Sequence, residues 1–327
     1  MNNLINKKIN SSLRSLIFLF PLTLFIYLFF SDFGNFGNLF FLTKKLFYEI
    51  SFGLFLISIG YLMRYYRWRI IINSFGFYPS AKTESKLWLA SYAFTATPGK
   101  IGELVRCFFI KKVFNVPLNY SFIAIIFERL FDLIAVLIYL FCFLLNNEKT
   151  LILPIGKALI FGIIIFMLLI FLLRFKYYRK LINYVDNIKF NFLNKFFKFR
   201  DLRRLNNFNN ILKINILLKI TFLSIISWGL EGISFLLLLH KLSFDISFLE
   251  STFIHTTAGL IGALTMLPGG LGSTEAITVY ILKNQSIPID YGIPITSIIR
   301  LMTLWYISIL GIVSLFFIQK EVFKDAQ

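Results

Sequence analysis

Long apolar stretches alternate with short charged ones over the whole chain. Six of them read as crossing helices: Leu16 to Phe30, Leu46 to Met63, Ser121 to Leu145, Leu151 to Leu173, Ile214 to His240 and Tyr291 to Ile318. A helix needs about 20 apolar residues to cross the hydrocarbon layer, so the first run is short and relies on its flanks. Two further apolar stretches, Leu87 to Lys112 and Ser247 to Lys283, are interrupted by the same Pro-Gly-x-x-Gly signal. It stands in "TPGKIGELVR" (Thr97 to Arg106) and in "LPGGLGSTE" (Leu267 to Glu275). Proline removes a backbone donor and glycine opens turn conformations, so a helix stops and restarts there. Irregular backbone at membrane depth survives only inside protein or beside a wet cavity, which makes these two segments broken or re-entrant.

The pattern predicts an all-α polytopic membrane protein with about six full spans plus two broken or re-entrant helical segments. If Ser247 to Leu267 crosses fully, the count is seven or eight. A single integral membrane domain covers 1–327, and the order span, span, broken segment, span recurs upside down, as an inverted repeat with halves 1–150 and 151–327. Pro98 precedes Arg129 by 31 positions and Pro268 precedes Arg300 by 32, a similar spacing in each half. Transporters built this way bind their substrates near the midplane, at the broken helices.

Composition agrees: 57% of the 327 residues are hydrophobic, above the roughly 45–50% of soluble domains. The net charge of +18 lies mostly in the loops, as the positive-inside rule requires. The expected partners are therefore membrane lipids, anionic headgroups included, and not nucleic acid. Arg64, Arg67, Arg69, Lys82 and Lys86 mark one cytoplasmic loop, and the basic segment 174–213, with eleven positives, marks another. Both termini then fall on the cytoplasmic side of the cell membrane, beside Lys7, Lys8 and Arg14 at one end and Lys320 and Lys324 at the other. The polar stretch after Phe30 lacks a small-residue cleavage pattern, so the first span reads as uncleaved. Arg64, Arg67, Trp68 and Arg69 read as a cytoplasmic interface anchor. Cys107 and Cys142 have neither disulfide nor metal spacing, and no cofactor is expected.

Candidate chemistry gathers at the breaks. A restarted helix presents a positive dipole end that suits phosphate or carboxylate. Lys100 and Arg106 add charge at the first break, Ser273 and Thr274 hydroxyls at the second. Glu103 and Glu275 stand where a carboxylate favours a helix start, but they can also pair with Arg106 or Arg300, or carry a proton. In "FERLFD", Glu128 and Asp132 share a helix face and Arg129 can pair with Asp132, either as a structural ion pair or lining a cavity. Arg300 has no acid in its own span and needs a partner from elsewhere: Glu275, Glu231 or a ligand phosphate. Glu231, between Gly229 and Gly232, is a packed carboxylate or a site residue. His255 reads more readily as a satisfied packing residue than as a proton shuttle, and His240 as interfacial. No nucleotide loop, nucleophile elbow or paired-histidine signature is present, so no enzyme activity is expected.

"TPGKIGELVR", the "ER" followed by Asp132, "LPGGLGSTEA", and Arg300 followed by Trp305 and Gly311 together resemble the lysylphosphatidylglycerol synthase transmembrane region family, described as flippase-like. The similarity runs from about Arg64 to Gly311. It implies a membrane protein acting on lipids. In the multiple peptide resistance factors, a domain of this kind moves aminoacylated phosphatidylglycerol across the bilayer and is fused to a soluble domain that makes it. Some archaeal relatives are associated with lipid-linked sugars. Carried over by position, the resemblance points to Pro98, Gly99, Gly102, Glu103 and Arg106, to Glu128, Arg129 and Asp132, to Pro268, Gly269, Gly270, Gly272 and Glu275, and to Arg300; Lys100 joins them by its charge. Only about nine residues follow the last span, so the soluble transferase domain is expected to be absent. The expected function is a lipid translocase moving a phospholipid, aminoacyl-phospholipid or lipid-linked sugar across the cytoplasmic membrane. The alternative is a non-transporting membrane partner of a separate lipid synthase or glycosyltransferase. A polyprenyl-phosphate enzyme is the weaker third reading.

Overall fold

The computed structural model describes residues 36–95, 97, 103–146 and 208–322, and among these there is helix and no strand. The expected spans Leu16 to Phe30 and Leu151 to Leu173, and most of the basic segment 174–213, lie outside the described residues. In chain order the helices are α1 (Phe36–Lys45), α2 (Phe47–Ser74), α3 (Ala81–Ala90), α4 (Val105–Phe114), α5 (Leu118–Asn146), α6 (Ile214–Lys241), α7 (Phe248–Leu264), α8 (Ser273–Asn284), α9 (Ile289–Arg300) and α10 (Tyr306–Val322). A 3-10 turn, Ser91–Phe94, extends α3, and another, Pro268–Gly270, lies between α7 and α8. A single turn, Phe208–Ile211, precedes α6, and a π turn, Leu301–Trp305, joins α9 to α10.

Local chemistry accounts for the boundaries. Asn115 closes α4 in the left-handed region, at φ 55°, which asparagine tolerates, and Pro117 then leads into α5. A capping box opens α7: the Ser247 hydroxyl accepts from the Glu250 amide, and the Glu250 carboxylate accepts from the Ser247 amide at 2.8 Å. Among the described residues, three helices are long and apolar enough to cross a membrane: α2, α6 and the continuous stretch Ile289–Ile318. Their 28 to 30 residues, at about 1.5 Å each, exceed a hydrocarbon layer of about 30 Å. Phe52, Phe55 and Leu62 on α2, and Phe316 and Phe317 on α10, are exposed, as side chains that face lipid would be.

The helices sort into two compact units. The first comprises Met1–Leu62, Pro79–Asn115 and Ser227–Gln327. Its core is built around Leu46, Ile57, Phe235, Leu238, Ile254 and Ile295, all fully buried. Here α10 lies along α3, and the Ser314 hydroxyl donates to the Lys86 carbonyl at 2.8 Å. The second unit comprises Met63–Tyr78 and Val116–Ile226. In it Trp68, Ile71 and Ile72 are fully buried, and Phe75 and Phe77 stand edge-on to Tyr120.

One expectation is corrected. The apolar run in the second span ends at Met63, but α2 continues to Ser74, so Arg64, Arg67, Trp68 and Arg69 are helical and not a loop. Arg67 is 1% exposed and Trp68 0%, so neither is an interface anchor. A helix can carry a guanidinium past the end of its apolar run when carboxylates on a neighbouring helix compensate it, and Arg67 meets Asp132.

Candidate functional site

The second break is described in full. After α7 the chain turns through Met266 and Gly269, both at positive φ, and α8 restarts at Ser273 behind Gly272. Gly270 sits at φ 68°, and a Cβ there would lie 2.7 Å from the Thr274 hydroxyl and 3.2 Å from the Gly262 carbonyl, so the turn is closed against α7 backbone. Only glycine meets both demands at no steric cost. The Ser273 hydroxyl donates to the Gly270 carbonyl and lies 2.9 Å from the Thr265 hydroxyl, stitching the two helix ends together.

Arg300, at the end of α9, reaches into this break. Its Nε donates to Glu275 Oε1 at 2.7 Å and its Nη2 to the Gly269 carbonyl at 2.6 Å. The Arg300 side chain is 11% exposed and that of Glu275 17%. Of the partners weighed for Arg300, the fold supplies Glu275; Glu231 faces His255 instead. Glu275 Oε2 is buried and has no hydrogen-bond partner among the described residues. The second break therefore combines a helix restart, a guanidinium held by two acceptors and a carboxylate with one oxygen unused. Pro268, Gly269, Gly270, Gly272, Glu275 and Arg300 are brought together.

At the first break, Pro98, Gly99, Lys100 and Gly102 lie outside the described residues. On its near side α3 gives way to the 3-10 turn Ser91–Phe94, and on its far side α4 begins at Val105. Arg106 is fully buried, donates from Nε to the Ser91 hydroxyl at 3.1 Å and has Glu103 at 4.0 Å. Its guanidinium lies over the Trp88 and Tyr92 rings, 5.3 and 5.6 Å from their centroids. The charge is thus spread over two aromatic faces, a hydroxyl and a carboxylate. Tyr92 stands edge-on to Tyr61, 5.6 Å between centroids, and the Tyr61 hydroxyl donates to the Thr303 carbonyl at 3.2 Å, within the π turn that follows Arg300. A contact chain therefore runs from Arg106 through Tyr92 and Tyr61 to the turn beside Arg300.

The "FERLFD" charges form a separate cluster in the second unit. Arg67 Nη1 donates to Asp132 Oδ1 at 2.6 Å and to the Ser224 hydroxyl, and its Nη2 lies 3.9 Å from Glu128 Oε1. Arg129 Nη1 approaches the other oxygen of Asp132 at 3.4 Å, so Asp132 bridges two guanidiniums. Glu128 and Arg67 are each 1% exposed, whereas the Arg129 side chain is 39% exposed. Sequence reading found Glu128, Arg129 and Asp132 but missed Arg67 and Ser224, which sit 65 and 92 positions from Asp132. The buried partners of Arg106, namely Ser91, Trp88 and Tyr92, were missed as well. Two buried carboxylates in one apolar helix are the signal that a compensating cation must come from another element.

Apolar helices of membrane-crossing length, with their inward charges paired across helices, define an integral membrane protein. Residues 13–311 match the family described as lysylphosphatidylglycerol synthase TM region, and the chain belongs to that family. Among its relatives, a UPF0104 membrane protein of Methanocaldococcus jannaschii is 27% identical over 234 residues, covering 70% of this chain and 94% of its own. A UPF0104 membrane protein of Pyrococcus horikoshii is 25% identical over 240 residues, 66% of this chain and 70% of its own. A third, from Methanothermobacter thermautotrophicus, is 30% identical over 93 residues, 28% of each chain. No solved structure matches.

Proposed function

We propose that the protein is a lipid translocase of the cytoplasmic membrane, with both termini inside and the broken helices forming its headgroup site. The observation that carries this reading is the second break, where Arg300 links Glu275 to the buried carbonyl of Gly269 in an interrupted apolar stretch. Charge and open backbone are costly inside a membrane protein, and both concentrate where discontinuous helices bind substrate.

The ion pair supplies a mechanism of exchange. Within the protein Glu275 neutralises Arg300. A phosphate-bearing headgroup entering the break takes donors from Arg300 and from the α8 N-terminus, while an ammonium or hydroxyl of the same headgroup takes the acceptor oxygens of Glu275. Each charge stays compensated as the headgroup replaces the internal pair, so the barrier to entry stays low. The acyl chains remain in the bilayer. Membership of the lysylphosphatidylglycerol synthase TM region family supports an anionic or aminoacylated phospholipid as substrate.

The test is mass spectrometry of lipids co-purifying with wild type and Arg300→Ala, followed by reconstitution with a fluorescent analogue of the enriched lipid. One enriched phosphate-bearing class, lost in the variant together with transport, is the expected result. Wild-type transport by Arg300→Ala would refute the assignment. Enrichment without transport by wild type would favour the partner reading.

A further inference from the structure

Helices α6 and α7 meet antiparallel in the first unit, at contacts that neither break uses. The Ser251 hydroxyl donates to the Gly232 carbonyl at 2.8 Å. A Cβ at Gly232 would fall 2.1 Å from the Thr252 hydroxyl, so the two helices touch closely at this level. One step along, His255 Nε2 lies 2.9 Å from Glu231 Oε2, with side chains 13% and 6% exposed. The imidazole has Trp228 on one side and Phe235 on another, ring centroids 6.1 and 6.2 Å away, and a Cβ at Gly259 would lie 3.8 Å from the Trp228 ring. Two titratable groups thus share one hydrogen bond inside an aromatic collar, between α7 and α6, a helix long and apolar enough to cross a membrane.

The other charged and titratable groups on the surrounding elements have their own settings. On α6, Lys241 pairs with Glu49 of α2 at 3.1 Å and His240 Nε2 lies 2.7 Å from the Ile246 carbonyl. On α7, Glu250 closes the capping box. Glu275 of α8 pairs with Arg300 of α9, while Tyr280, Lys283 and Asp290 are exposed and Tyr291 is 41% exposed. The Tyr61 hydroxyl is bonded to the Thr303 carbonyl, and the Tyr306 hydroxyl of α10 to Ser58 of α2.

We propose that Glu231 and His255 form a one-proton binding site in the membrane-embedded part of this chain. The proton comes from water as hydronium and returns to water. With one proton the pair is neutral overall, whether the proton sits on the imidazole or on the carboxyl. With none it carries −1 and with two +1, and either charge is costly in surroundings this apolar. The face of α7 that carries His255 also carries Gly262, seven residues on, which abuts Thr274 at the second break. Proton occupancy at α6 and α7 is thereby tied to the geometry of the headgroup site. That last link rests on the translocase reading; the proton site itself does not.

The chain has two histidines, so the test is direct. Full-length protein with labelled histidine is placed in lipid nanodiscs, and the His255 ring nitrogens are followed by NMR against pH, with His240→Gln identifying the second signal. In Glu231→Gln, which keeps a hydrogen-bond acceptor, His255 is expected to bind its proton at least about tenfold more weakly than in wild type, a midpoint change of about one pH unit. Superimposable curves would overturn the proposal, because a packing hydrogen bond survives the change to glutamine. Should Glu231→Gln fail to fold, His255→Gln is measured by the infrared carboxyl band of Glu231, where a displacement of the same size is expected and an unchanged titration refutes. Neither readout requires lipid to move, so failure of the transport assay and failure of the proton site are distinguishable.

Discussion

Arg106 and Arg300 belong to the two Pro-Gly breaks, and their surroundings differ in kind. Arg106 is fully buried, with Glu103 at 4.0 Å and Trp88, Tyr92 and Ser91 around its guanidinium. Arg300 makes a 2.7 Å contact to Glu275, a second to backbone, and keeps 11% of its side chain exposed. A guanidinium packed against two rings reaches a ligand only if those rings unpack. One held by a carboxylate and a carbonyl can exchange them for phosphate oxygens of the same geometry. The comparison teaches that one motif stands in two settings: the first arginine is packed against rings, and the second is held by a carboxylate and a carbonyl.

The largest effect that would break this comparison is on stability. Arg106→Ala is expected to lose about 3–5 kcal/mol, because it leaves Glu103 and two ring faces buried without their cation. Arg106→Lys should recover little of this, since an ammonium neither stacks nor matches the donor fork. Thermal unfolding in detergent checks both, and near-wild-type stability in Arg106→Lys would remove the distinction between the two arginines. Next comes transport: Arg300→Ala is expected to slow it by at least about tenfold, a barrier change of about 1.4 kcal/mol. A double-mutant cycle with Glu275→Gln should give a coupling of about 0.5–3 kcal/mol in stability without restoring transport. Gly270→Ala sharpens the picture of the second break, with an expected loss of roughly 1–2 kcal/mol from the left-handed conformation alone, measured the same way. The smallest effect is Tyr61→Phe, which removes the hydroxyl on the Thr303 carbonyl but keeps the ring, for about 1 kcal/mol. A transport defect in Tyr61→Phe larger than its stability loss would mean that the two breaks communicate through this tyrosine.

Helices were legible where local chemistry is strong. The glycines of "LPGGLGSTE" mark their own boundary, and the runs from Ile214 and Tyr291 matched helices within a few residues. The end of α2 was not legible, because a run of Arg64, Arg67 and Arg69 looks like a loop until carboxylates on another helix are known. At the candidate site, Glu275 and Arg300 were found, each at its own helix end. Their pairing was one of several options until α8 and α9 were packed.

The order of apolar runs and interruptions, read residue by residue, determined that this is an all-helical membrane protein with broken segments, since span length, proline and glycine act through the local backbone. The pairing of charges was decided only by tertiary structure. Arg67 with Asp132, Glu231 with His255 and Arg300 with Glu275 join residues 65, 24 and 25 positions apart. No local pattern selects such partners; a buried charge takes whichever opposite group the packing of separate helices brings within a few ångströms, because leaving it alone in apolar surroundings costs more than any other arrangement.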